Sequence, residues 1–211
     1  MKKTIIYICF VILSGSLFAQ DLKPIVLNPP DLKRGLPVME ALSLRASASE
    51  FAGKELMLQD LSDLLWAANG INRKESGKRT APSAMNAQDI DVYLFAEEGV
   101  YLYDATGHVL NPIVSGDQRE LVAGRQAEFA KAAVFLVLVS DISKFKSGED
   151  TMKLSWSALD AGIVSQNICV FCAGVGFNTR TRATMDLEKL RLVLRLKDSQ
   201  HLMLNNPVSY K

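Results

Sequence analysis

The stretch Arg79-Thr80-Ala81-Pro82-Ser83-Ala84-Met85-Asn86-Ala87-Gln88 packs small side chains, one proline and two carboxamides into a single polar segment. Small residues let backbone N–H and C=O groups come close to a planar ligand, and a positioned Ser, Asn or Gln supplies the few oriented polar contacts that cofactor pockets use. By itself the segment is equally ordinary turn chemistry, since Pro-Ser-Ala also serves plain connections. Its reading is decided by what lies upstream.

Upstream stands Leu44-Arg45-Ala46-Ser47-Ala48-Ser49-Glu50-Phe51, closing an apolar-periodic stretch (Val38, Met39, Ala41, Leu42) that Pro37 opens. That stretch reads as a short helix with proline in its first turn. In extended chain, Arg45 and Ser47 point to the same side, so a guanidinium fork and a hydroxyl can grip one phosphate. Alone, the segment reads first as a solvated arginine and a Ser-rich helix stop.

Together, in this order and separated by an amphipathic helix, the two segments resemble the nitroreductase superfamily of FMN enzymes. The family's opening Arg-x-Ser-x-(Arg/Lys)-x-Phe pattern, which holds the FMN phosphate, is matched by Arg45, Ser47 and Phe51. Its Pro-Ser-(Ala/Ser)-x-Asn-x-Gln loop, which contacts the flavin ring across a dimer interface, is matched by Pro82, Ser83, Ala84, Asn86 and Gln88. The run from Asp160 to Phe177 looks like the family's long central helix and the Gly-rich turn after it. Leu64 to Ile71 and Gly116 to Arg119 resemble in particular the branch of thiazole- and oxazole-forming dehydrogenases. The likeness extends from about Leu36 to Tyr210.

The resemblance implies an α+β fold, with helices around a mostly antiparallel sheet, in an intertwined homodimer. It implies FMN as cofactor and a small-molecule substrate, with no side chain doing acid–base work, because the ring itself accepts and returns a hydride. It also places the N5 edge of the ring against backbone amides of the turn that contains Arg182, Ala183 and Thr184. Many relatives carry Glu-Gly where this chain has Ala183-Thr184; a backbone donor survives that change and a carboxylate does not. Ser49 stands where many relatives have a second basic residue, and the chain ends at Lys211 where longer members add a basic segment. Weak FMN retention is therefore expected unless Lys211 or an arginine compensates.

Composition is consistent with this picture. Met1 to Ala19 reads as a signal peptide: Lys2 and Lys3, an apolar run from Ile5 to Leu13, then small residues up to Ala19. The apolar run is short for the ~20 residues that span a bilayer, so no stable membrane insertion is expected once it is removed. A periplasmic or secreted location follows as an expectation, with ~190 residues left for one compact domain over 36–211. The formal net charge is +1 with the signal, and loss of its two lysines leaves it near neutral. Nothing in that balance predicts nucleic acid as a partner. Residues 20–35, with Pro24, Pro29 and Pro30, read as an extended arm that could cross a partner or lie unordered.

Along the domain, the pattern predicts a helix over 58–68 stopped by Gly70, a flexible loop over 72–78, and a hairpin of 90–96 with 100–103. It then predicts a helix over 120–133, a strand over 134–139, and a helix over 154–173 apolar enough on every face to run through the centre. A short helix capped by Asp186 and a strand over 201–204 finish the domain. Cys169 and Cys172 have Cys-x-x-Cys spacing but fall within the apolar helix, so they read as buried thiols. His108 and His201 lack neighbouring ligands, and no metal site is expected. Gly174-Val-Gly176 follows a helix rather than a strand, which excludes a Rossmann fingerprint.

The family's usual donors, NADH and NADPH, belong to the cytoplasm, which an exported enzyme would not share. Two alternatives to a hydride-accepting reductase therefore stand: an FMN dehydrogenase that oxidises a peptide or heterocycle, and a non-catalytic flavin-binding protein.

Overall fold

The computed structural model describes residues 22–211; the expected signal peptide lies outside them. Seven strands form one sheet: β1 (Ile25–Val26), β4 (Ile90–Phe95), β5 (Gly99–Asp104), β6 (Val109–Ser115), β7 (Val134–Asp141), β8 (Phe177–Thr179) and β9 (Gln200–Tyr210). Their order is β1-β6-β5-β4-β7-β9-β8, and every neighbouring pair is antiparallel. The α+β architecture is as expected.

β7 occupies the middle because its residues suit a strand covered on both faces. Val134, Leu136 and Leu138 join the core cluster that includes Leu64, Val164 and Ile168. The alternate residues Phe135, Val137 and Val139 join a second cluster with Phe95, Phe129 and Leu190 on the opposite face. Each such side chain, fully buried, contributes about 1.5–3 kcal/mol.

Around the sheet lie α1 (Val38–Leu44), α2 (Leu58–Asn69), α3 (Arg119–Ala123), α4 (Asp150–Val175) and α5 (Leu187–Val193). α2 stops at Gly70, whose N–H bonds the Trp66 carbonyl at 2.8 Å. A Cβ on Gly70 would lie 2.5 Å from Trp66 Cδ1 and 2.7 Å from its backbone, so only glycine fits there. α5 starts as expected, with the Asp186 side chain accepting the Lys189 amide.

Five parts of the chain depart from expectation. Residues 72–78 form no open loop but a small hairpin, β2 (Ile71–Arg73) against β3 (Lys78–Arg79). The helix expected over 120–133 breaks at Gly124, where φ is +59°, into α3 and a 3-10 turn at Ala127–Lys131. β6 is a strand despite Asn111 and Pro112, and β9 runs to Tyr210. α4, finally, is not enclosed all round: Ala161, Val164, Ile168 and Cys172 are buried, while Leu159, Gly162, Ile163 and Gln166 form an exposed strip.

The N-terminal arm follows its own chain over the described residues. β1 extends the sheet edge, Leu27 is buried, and His108 sits between the Tyr103 hydroxyl and the Asn28 carbonyl, 2.9 Å from each. Arg34 then binds the two buried carboxylates of α2, Asp60 and Asp63, the latter at 2.9 Å. Leu36 donates its amide to the Gly174 carbonyl, which seats α1 on the C-terminal turns of α4.

Candidate functional site

The segment from Arg79 to Gln88 is a closed, strained loop. Gln88 uses its whole side chain to shut it, accepting from Arg79 Nε at 3.0 Å and donating to the Gly77 carbonyl at 3.1 Å. Its backbone amide donates to Ser83 Oγ at 2.8 Å. Met85, Asn86 and Gln88 have φ values of 53°, 53° and 50°, left-handed geometry that costs an L-residue about 1 kcal/mol each. Those costs are tolerated where surrounding bonds fix the backbone, as they do here. Pro82 and Asn86 are exposed, and among the described residues the Asn86 carboxamide has no hydrogen-bond partner.

The loop is anchored from below by α4. The Ala84 amide donates to both oxygens of Asp160, at 3.1 and 2.9 Å. Asp160 also neighbours Asp89, which is fully buried; Asp89 Oδ2 lies 2.6 Å from Ser140 Oγ, while its Oδ1 has no partner. Burial pushes Asp160 up to about 6; the Ala84 amide opposes this and the Asp89 carboxyl adds to it. In its protonated form the Asp160 carboxyl can donate to Asp89, which has an otherwise orphaned oxygen. A lone aspartate in an apolar helix was the sequence signal for this pair; its partner loop lies 76 positions away.

Arg45 and Ser47 lie on the extended stretch after α1, and both are exposed. The stretch lines up beside the end of β8, with the Ala48 amide bonded to the Thr179 carbonyl at 3.0 Å. A cavity of about 100 Å³ brings Ala46 and Ala48 together with Cys169 of α4, Thr179 and Lys211. The structure thus brings the Arg45–Ser47 stretch beside the end of β8 and the C-terminal Lys211, although Arg45 and Ser47 do not themselves line the cavity. Cys169 and Cys172 are free and buried, as expected.

Arg182 is not available to a cofactor. Its guanidinium bonds the Val122 and Ala123 carbonyls at 3.2 and 2.8 Å, Asn205 Oδ1 at 2.8 Å and Gln126 Oε1 at 3.1 Å. It is buried because the carbonyl end of α3 needs a cation, a need that no local pattern reveals. Its backbone is paired as well, N–H to the Asn205 carbonyl at 2.8 Å. The next two residues differ. Ala183 and Thr184 are exposed, and among the described residues neither amide has an acceptor. Thr184 also edges an open cleft of about 650 Å³ between α3 and α5.

α4 sets how the two halves relate. Cys169 follows Asp160 by nine positions, so their side chains leave the helix about half a turn apart and about 13 Å along it. The Pro82–Gln88 loop and the Arg45–Ser47 stretch therefore lie on opposite flanks of α4, with the exposed strip of Leu159, Gly162, Ile163 and Gln166 between them. α1 adds to that surface with exposed Val38, Met39, Leu42 and Leu44.

A sequence model described as the nitroreductase family matches residues 42–209. The chain belongs to the nitroreductase family. Its relatives include a protein of Methanocaldococcus jannaschii that bears the nitroreductase name, 26% identical over 191 residues, 86% of this chain and 94% of that one. A crystal structure bearing the nitroreductase name, from Ralstonia eutropha, has 32% identity and a TM-score of 0.83 over 89% of each chain. The Escherichia coli microcin synthetase McbBCD complex, with truncated pro-MccB17 bound, contains a chain of the same fold. It has a TM-score of 0.71 at 17% identity, over 98% of this chain and 84% of that one. Nitroreductase-family membership makes this chain an oxidoreductase.

Proposed function

We propose that this chain is an exported, FMN-dependent oxidoreductase that exchanges a hydride, in ping-pong order, between a donor and a small organic acceptor, and that two copies build each cofactor site. The observation that carries this reading is the set of unengaged groups on the two flanks of α4. Arg45 and Ser47 on one side, and Asn86 on the other, are exposed; the amides of Ala183 and Thr184 have no acceptor. Large exposed apolar patches on soluble chains mark interaction surfaces. A two-fold pairing through the apolar strip of α4 and α1 would carry the Pro82–Gln88 loop of one copy toward the Arg45–Ser47 stretch of the other.

In such a site Arg45, Ser47 and Lys211 would hold the phosphate, while Pro82, Ser83, Ala84 and Asn86 would edge the ring. Ala183 and Thr184 would offer backbone N–H groups at its N5 edge. The flavin, when bound, supplies hydride acceptance and return. Gln88 would act by keeping the loop closed, and Arg182 by fixing the backbone that presents Ala183. The residues 1–19 support export, and with it a donor other than cytoplasmic NADH or NADPH.

An absorbance spectrum of protein taken from the periplasmic or secreted fraction tests cofactor and compartment together, with flavin peaks expected. Light scattering is expected to give a dimer, and a monomer that binds FMN stoichiometrically would overturn the shared site. Anaerobic stopped-flow should show bleaching of the flavin by a donor and reoxidation by an acceptor. Flavin that stays inert to a broad panel would instead mark a non-catalytic flavin-binding protein. The fold shared with a chain of the microcin synthetase complex favours a second reading, an FMN dehydrogenase acting on a peptide or heterocycle. Flavin reduction by a peptide azoline, with no reduction by nicotinamide donors, would select it.

A further inference from the structure

Two guanidinium groups share the ring of Phe129: Arg182, 4.8 Å from its centroid, and Arg180 at 5.2 Å. They are not equivalent. Arg182 is saturated with protein acceptors, whereas Arg180 has, among the described residues, a single side-chain hydrogen bond, from Nη1 to the Ala48 carbonyl at 3.3 Å. Its Nε–H is buried and without an acceptor, and among the described residues no carboxylate forms an ion pair with it. An arginine held this way has donors directed by its planar fork but left unused. A buried donor without a partner calls for an acceptor, and guanidinium favours an oxyanion.

The position of that fork is informative. Ala48 lies between Ser47, on the candidate phosphate side, and Ser49, where relatives carry a second basic residue. The guanidinium rests on the carbonyl between the two serines, and Phe129, itself braced edge-on by Phe51 at 5.5 Å, supports its face.

We propose that Arg180 is the second cation of the phosphate site, reaching from the end of β8 to supply the charge that Ser49 cannot. The inference rests on the FMN reading above. The anion it recognises is a phosphate monoester attached to the flavin, so its contribution belongs to the phosphate and not to the isoalloxazine ring. Arg180 acts here as a residue that holds the cofactor, with no part in hydride exchange.

The test is flavin-fluorescence titration of the mature full-length chain with FMN and, separately, with riboflavin, which lacks the phosphate. Wild-type protein is expected to bind FMN at least tenfold tighter than riboflavin. Arg180→Gln is expected to lose that preference, with FMN affinity falling ten- to a hundredfold, riboflavin affinity unchanged and circular dichroism unaltered. Arg180→Lys should fall between them, since a point charge replaces a fork. Adding Ser49→Lys to Arg180→Gln should restore most of the FMN affinity. Arg180→Gln that keeps the FMN preference, or weakens FMN and riboflavin equally, overturns the proposal while leaving FMN binding intact. A double variant with no recovery overturns the equivalence with position 49. Wild-type protein that binds neither flavin overturns the functional reading itself.

Discussion

Asp160, ten residues into α4, accepts the amide of Ala84 with both of its carboxylate oxygens, and so ties the candidate ring-contact loop to the longest helix of the fold. The same carboxyl is pushed up to about 6, chiefly by burial, with Asp89 adding to it. Its protonated form is the one the fold favours. The stability it contributes is fully present below the ordinary carboxylate pKa and is lost as the pH rises through about 6. The loss is on the order of 2 kcal/mol. Asp160→Asn keeps an oxygen for the Ala84 amide and adds an N–H for Asp89, so this component should vanish in the variant. Urea melts between pH 3.5 and 8 check it: the two stability curves should separate between about pH 4 and 6 and run parallel above, and curves parallel throughout would refute the raised carboxyl.

Arg34 neutralises two buried carboxylates at once and lies 5.6 Å from the ring centroid of Phe177. Arg34→Met should destabilise the chain by about 3–5 kcal/mol, because Asp60 and Asp63 would lose the cation that both of them face. Replacing both aspartates by asparagine in that background should return most of the loss. Chemical denaturation of the three proteins measures it, and a single variant within 1 kcal/mol of wild type would show that the arm contributes little.

Met85 holds a left-handed φ of 53° while its side chain is half exposed and sits near Ser147. Met85→Gly is expected to be neutral or stabilising by up to about 1 kcal/mol, and Met85→Val destabilising by at least that much, since branching at Cβ worsens the clash. Thermal melts of the pair give the order directly. The reverse order would mean that the backbone of the loop carries no strain.

Arg182→Leu removes the cation that saturates the Val122 and Ala123 carbonyls. The expected cost is about 3 kcal/mol, arising from carbonyls and carboxamides left without donors in a buried site. FMN preference over riboflavin should survive in the folded fraction, in contrast to Arg180→Gln. A stable variant that selectively loses FMN would return Arg182 to the cofactor site.

How far the sequence discloses this molecule depends on how local each signal is. β4, β5 and β7 are legible because apolar runs of strand length are bounded by turn residues. α2 is legible from its spacing and its terminal glycine. β9 reads as four residues because Asn205, Asn206 and Pro207 interrupt its apolar pattern. Those carboxamides are buried all the same, since Arg182 and Ser165 bond to them. β6 is hidden by Asn111 and Pro112 and is recognisable only from its pairing with β5. The candidate site divides in the same way. The residues of its loop stand together in the chain, but Asp160 meets Ala84 from 76 positions away, and only the fold separates saturated Arg182 from underused Arg180. The breadth of apolar residues on α4 suggests a wholly enclosed helix; in a single chain the surplus faces outward.

α4 works as a ruler with fixed graduations. An extra residue between Asp160 and Cys169 would do more than lengthen that interval by about 1.5 Å, since it would also swing one flank of the helix about 100° relative to the other. The loop bonded to Asp160 and the cavity that Cys169 lines would then face different neighbours. Length changes are accordingly expected to accumulate in the connections before and after α4 and to be absent from this nine-residue span. A library of single-residue insertions scanned along the helix would read that out as a sharp trough in folded, flavin-retaining protein.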